Sequence, residues 1–174
     1  MEADFNAEML DEHDLLYGGL ADQVAENRAS GRRWARMVEL FRRQPDTDGN
    51  FRMSARDWTA TKVCEVWRIG DVEARRELNT AVFLAEHVPE VLEMCIAGVL
   101  DRRRAATVAD VLRHRLDGPE DWRRCGERIV AFLRKHLHTD EETGIQVVGC
   151  TLVQLRNKLN YETRVLAPRD DFEA

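Results

Sequence analysis

The sequence predicts an all-α protein, a compact bundle of seven to eight helices that contains a helix-turn-helix-like pair. Three observations carry this expectation. Apolar residues recur with a period near 3.6 along most of the chain, the spacing of one helix face. Glycine and proline are sparse, ten and four in 174 residues, and they fall between the periodic stretches. Ser, Thr and Asp stand where helix starts need side-chain caps. With 44% apolar and 33% charged residues, a chain of this length buries roughly 70% of the surface its unfolded form exposes, so a self-standing core is expected. The organisation reads as an acidic arm (residues 1–19), a single helical domain (20–168) and a short tail (169–174).

In chain order, Ala7 to about Tyr17 has a weak helical pattern ending at Gly18-Gly19. A longer helix follows from Leu20 to about Arg43, with Val24, Trp34, Met37, Val38 and Phe41 as its apolar positions and Ser30-Gly31 as a candidate break. Gln44 to Asn50 (QPDTDGN) reads as a loop. Ser54 and Asp57 form a capping-box-like start to a helix that turns Trp58, Val63, Val66 and Trp67 inward. Asp71 begins a strongly periodic helix with Ala74, Leu78, Ala81 or Val82, and Ala85 on its inner face. Pro89 suits the first position of a short helix that Gly98 ends, and Asp101 caps the next, to about His114. Gly118-Pro119 opens a helix through Ile129, Phe132 and Leu133 to about His138. Ile145 to Val148 resembles a strand but has no evident partner, so the segment reads as loop. Thr151 and Gln154 cap the last helix, which buries Leu152, Leu155, Leu159 and Leu166.

Charge is distributed unevenly. The net −6 divides into −7 over residues 1–30, with eight acids and one Arg, and +1 over the rest. Asp101 to Lys135 holds ten bases and six acids. Nucleic-acid affinity depends on local basic surface, so the overall sign does not exclude such a partner. Of the 26 bases only Lys62, Lys135 and Lys158 are lysines, a bias that marks a GC-rich genome. No apolar run approaches the ~20 residues that cross a bilayer, and the acidic start is unlike a signal peptide; a cytoplasmic protein with no membrane partner is expected.

Catalytic and metal motifs are absent from the pattern. Cys64, Cys95, Cys125 and Cys150 stand alone, without a CxxC, and read as small buried apolar residues. His136 and His138 are two apart on an expected helix, so their imidazoles diverge and hold no common ion. His13, His87 and His114 have no acid or nucleophile partner in sequence. No cofactor, metal, small-molecule substrate or catalytic residue is expected.

The most informative local pattern runs from Val63 to Leu78. Val63, Cys64, Trp67, Ile69, Gly70, Ala74 and Leu78 fall where a helix-turn-helix places its packing residues, with Arg68 at a turn position where Gly is usual. In that unit the second helix enters the major groove, and its outward residues are Arg75, Arg76 and Asn79. Arg pairs bidentately with guanine and Asn with adenine. Two ordinary antiparallel helices with solvated arginines are the other account of the same pattern, and Asp71 and Glu73 place negative charge at the end that would meet DNA. Arg102, Arg103 and Arg104 stand at a helix start, where the dipole disfavours cations. Phosphate contact, a salt-bridge network and a solvated face are the accounts open there.

From Trp58 to Pro168 the order of features resembles the domain of unknown function 222, the N-terminal domain of the 13E12 repeat family of actinobacterial HNH-endonuclease-like proteins. The matching segments are Ala74-Arg75-Arg76-Glu77-Leu78-Asn79-Thr80-Ala81, then Val88-Pro89-Glu90-Val91-Leu92 to Ala97-Gly98, then Asp101 to Val108, and Leu155-Arg156-Asn157-Lys158-Leu159. The resemblance implies association with DNA-processing proteins. The HNH module that family members carry after this domain has no counterpart here, so no catalytic residue transfers. The expectation is a non-catalytic helical domain that binds DNA or a DNA-processing partner, through Arg75, Arg76, Asn79 and Arg102 to Arg104. A helical protein–protein module or homodimer is the alternative, and a remnant or split HNH nuclease the third.

Overall fold

The computed structural model describes residues 6–44 and 53–166, and these are helical with one small hairpin. After a single 3-10 turn at Ala7–Met9 come α1 (Glu12–Arg42), α2 (Ala55–Trp67), α3 (Asp71–His87), α4 (Pro89–Ile96), α5 (Arg102–Arg115), α6 (Pro119–Lys135), β1 (Leu137–Thr139), β2 (Gln146–Val148) and α7 (Leu152–Leu166). Seven α-helices among the described residues agree with the expected class. Residues 1–5 of the acidic arm, residues 45–50 of the expected loop, and Pro168 with the tail 169–174 lie outside the described residues.

The caps sit where the sequence places them. Asp101 accepts the amide of Arg104 at 2.9 Å. Thr151 and Gln154 cap each other reciprocally, the Gln154 amide to Thr151 Oγ1 at 3.1 Å and the Thr151 amide to Gln154 Oε1 at 2.7 Å. Each such cap satisfies amides that no turn of helix can reach, and is worth ~1 kcal/mol.

α3 is the central element, packed against α1, α2, α4, α5 and α6. Its Leu78 and Leu84 are fully buried with Leu112 of α5, Ile129 and Leu133 of α6, and Leu155 and Leu159 of α7. Removing one such side chain from water contributes about 1.5–3 kcal/mol. α1 crosses α4 at Gly31, where a Cβ would lie 2.4 Å from the Ile96 nitrogen. Beside that crossing the Asn27 amide donates to the Gly98 carbonyl at 3.1 Å and Arg28 Nε to the Ala97 carbonyl at 3.0 Å. These two bonds satisfy carbonyls at the open end of α4, and Gly98 turns the chain there at φ +85°.

Four local expectations are corrected. Neither Gly18-Gly19 nor Ser30-Gly31 breaks α1, which is continuous for 31 residues. Asp11 caps its start, accepting the Asp14 amide at 2.8 Å, and each glycine costs only ~1 kcal/mol relative to alanine. Val66 does not face inward: it is 71% exposed, because Val63 and Trp67 already occupy that helix's inner stripe. The helix from Gly118 ends at Lys135, short of His138. Leu137–Thr139 instead forms β1, and this is the partner strand that Ile145 to Val148 lacked, with Leu137 opposite Val148 and Thr139 opposite Gln146. The Val148 amide also reaches the Val99 carbonyl at 2.8 Å, tying the hairpin to the segment after α4. Among the described residues no helix is long and apolar enough to cross a membrane.

Candidate nucleic-acid interface

The turn between α2 and α3 spans Arg68 to Gly70. Arg68 adopts the left-handed conformation at φ 56°, the conformation for which glycine is usual, and it is the one non-glycine residue to do so among the described residues. This costs a residue with a Cβ about 1–2 kcal/mol. The Cys64 thiol donates to the Ile69 carbonyl at 3.0 Å across the turn, and Ile69 packs on the core. Helix, three-residue turn and helix therefore occur in the expected order.

The outward residues of α3 do not share one environment. Arg75 Nε holds Asp71 at 3.0 Å, and its Nη1 is hydrogen-bonded to Asp57 of α2. The Ser54 hydroxyl and then the Arg75 guanidinium hold the Asp57 carboxyl below the usual carboxylate range. Asn79 Oδ1 accepts from Arg56 Nη1 of α2 at 2.6 Å. Both residues thus brace α3 against α2. Arg76 points the other way: it is largely exposed, with Nη2 3.9 Å from Asp110 of α5.

The arginines that open α5 divide similarly. Arg104 Nη1 pairs with Asp101, and its Nε donates to the Cys150 carbonyl at 3.0 Å, which anchors the chain entering α7. Arg102 Nη1 lies 3.3 Å from Glu77 Oε2, an oxygen that also accepts the Trp34 indole N–H at 2.6 Å. Arg103 is exposed and has no ion-pair partner among the described residues.

Arg76, Arg102 and Arg103 line one open groove of about 750 Å³ between α3 and α5, and Arg156 of α7 completes it. Arg156 is exposed and, like Arg103, has no ion-pair partner among the described residues. The sequence reading did not select it as a contact. Its only signal was position: it follows Leu155, whose side chain with that of Leu159 marks the buried stripe of α7, so residue 156 projects from the flank of that stripe. Glu73, Glu77 and Asp110 also line the groove. Four guanidinium groups against three carboxylates leave a modest positive excess.

The remaining polar clusters have structural roles. His13 Nε2 bonds Glu142 Oε1 at 2.7 Å, joining the start of α1 to the hairpin turn; this partner is 129 residues away, which is why the sequence did not reveal it. His136 ends α6 with Nδ1 2.9 Å from the Phe132 carbonyl, while His138 is on β1. His87 packs against the Phe83 and Trp122 rings. Asp11, His13 and Asp14 lie together at the start of α1, all exposed. All four cysteines are free, and burial pushes the Cys95 and Cys125 thiols up to about 12, so neither is a thiolate nucleophile near neutral pH. No protein-family model, curated protein or solved structure matches the chain.

Proposed function

We propose that this chain is a cytoplasmic, non-catalytic DNA-associated protein that holds phosphates in the groove between α3 and α5. The observation that supports this reading is the convergence of Arg76, Arg102, Arg103 and Arg156 from three helices on one open surface, with Arg103 and Arg156 unpaired among the described residues. Guanidinium groups present planar donor pairs suited to phosphate oxygens. Partial neutralisation by Glu73, Glu77 and Asp110 keeps the affinity moderate, and each guanidinium–phosphate contact makes it fall with salt. Fluorescence anisotropy with a labelled duplex over a salt series tests the reading. Binding at low salt that is abolished by Arg103→Glu with Arg156→Glu supports it; no binding at low salt refutes it.

A second reading, a homodimer or helical interaction module, is favoured by the start of α1. Leu15 and Leu16 are exposed there, and no residue of α1 before Val24 is buried. Light scattering after size exclusion decides it: a concentration-independent monomer removes the homodimer.

A further inference from the structure

Resting on the reading of the groove as a DNA site, we infer that the protein contacts the phosphodiester backbone of duplex DNA without reading bases, so that α3 is not a recognition helix. Base readout on α3 requires its outward guanidinium and amide groups to be free to meet base edges. Arg75 instead spends both sides of its guanidinium on Asp57 and Asp71, and Asn79 gives its carbonyl oxygen to Arg56. An Asn that reads adenine uses that oxygen and its amide together, so occupation of the oxygen removes the bidentate geometry. The front of α3 carries Asp71 and Glu73, which suit the helix dipole but repel a groove lined with phosphates.

The guanidinium groups that line the groove are those of Arg76, Arg102, Arg103 and Arg156, from three different helices; Arg103 and Arg156 have no ion-pair partner among the described residues, while Arg102 lies 3.3 Å from Glu77 and Arg76 3.9 Å from Asp110. Such a set tracks charge along a backbone; contacts of this kind position DNA and carry no sequence information. Among the described residues the groove lining contains no Phe, Tyr or Trp. Proteins that hold single strands stack bases on aromatic rings, so this groove favours the duplex over an unpaired strand.

The test uses the full chain with three labelled probes of equal length: two duplexes of unrelated sequence and one single strand. The two duplexes bind within about threefold of each other, far below the roughly 10³-fold or greater margin of sequence-specific proteins, and the single strand binds more weakly. Four phosphate contacts give a slope of log affinity against log salt of about −3.6, hence a loss of roughly 150-fold between 50 and 200 mM salt. Arg103→Ala with Arg156→Ala makes the slope shallower by about 1.8; both side chains are exposed and unpaired among the described residues, so the fold is retained.

A preference above tenfold for one duplex, abolished by Arg75→Ala or Asn79→Ala, overturns the backbone-only contact while leaving DNA binding in place. Single-strand binding as tight as duplex binding also overturns it. Absence of binding to all three probes at low salt removes both this inference and the reading beneath it. Equal binding of a polyglutamate peptide, with the same dependence on Arg103 and Arg156, assigns the groove to an acidic protein surface and overturns both.

Discussion

The crossing of α1 over α4 sets the same substitution, Gly to Ala, against itself at two places in one helix. At Gly31 a Cβ would sit 2.4 Å from the Ile96 nitrogen and 2.5 Å from the Cys95 carbonyl carbon. These are backbone atoms that cannot rotate away, so a methyl group forces the helices apart by about 1 Å to reach ordinary van der Waals separation. Overpacking of this kind costs about 1–3 kcal/mol. The separation also stretches the Asn27–Gly98 and Arg28–Ala97 hydrogen bonds, each worth about 1 kcal/mol. Alanine's helix propensity returns about 1 kcal/mol. The balance for Gly31→Ala is a loss of about 2 kcal/mol, which for a domain of this size lowers Tm by about 4–8 °C. At Gly18 and Gly19 an added Cβ meets nothing within 4 Å, so alanine there raises the helicity of the first turns of α1. Because that stretch buries no residue before Val24, the gain appears mainly as slower amide exchange locally and little in Tm. Calorimetry and hydrogen exchange on the variants read both effects. Gly31→Ala melting at or above the parent temperature would show that α1 and α4 do not approach this closely.

Glu162 is buried and held by Arg128 Nη1 at 2.8 Å and Lys158 Nζ at 2.6 Å. Burial pushes its carboxyl up, but the hydrogen bonds and charges of Lys158 and Arg128 outweigh burial and hold it below the ordinary 4.5. A depressed carboxyl contributes stability above its unfolded pKa and loses it as pH falls through the folded one. The parent protein therefore loses stability on acidification below about pH 4.5 faster than Glu162→Gln does. Near neutrality that variant is less stable by about 1 kcal/mol, since both cations reach water once freed; parallel urea titrations across pH check both statements, and equal acid sensitivity refutes them. Cys95 and Cys125 stay unlabelled by iodoacetamide at pH 8 in the native protein and react only on unfolding, as mass spectrometry of the digested protein shows; native labelling at either site refutes their burial.

Much of the fold was visible in the sequence where the signal is local. Caps at Ser54, Asp101 and Thr151, the proline at the start of α4 and the stripes of Leu and Val reflect interactions within one or two helical turns, and these set the helix starts correctly. Errors arose where a distant partner changed the outcome. Gly31 looks like a breaker in isolation, yet it is the residue that lets α4 approach. Leu137 to Thr139 continue a helical pattern, but the six residues between the strands bring Gln146–Val148 alongside and the extended form wins. The candidate contacts split for the same reason: Arg75 and Asn79 lie within about 40° of each other on α3 and Arg76 about 100° round from Arg75, but what each meets is set by Asp57, Arg56 and Asp110 on neighbouring helices.

By itself the sequence determined helix content, most helix starts and the identity of the buried stripe, because periodicity and capping depend on neighbours within a few residues. The tertiary structure decided which arginines are free. Whether a guanidinium is spent on a carboxylate or left for a ligand depends on what the adjoining helix presents within about 4 Å, a distance that sequence separation does not encode. That is how Arg156, not among the contacts expected from the sequence, stands unpaired among the described residues with Arg103 in the groove that Arg76 and Arg102 also line, while Arg75, Asn79 and Arg104 are drawn into the scaffold.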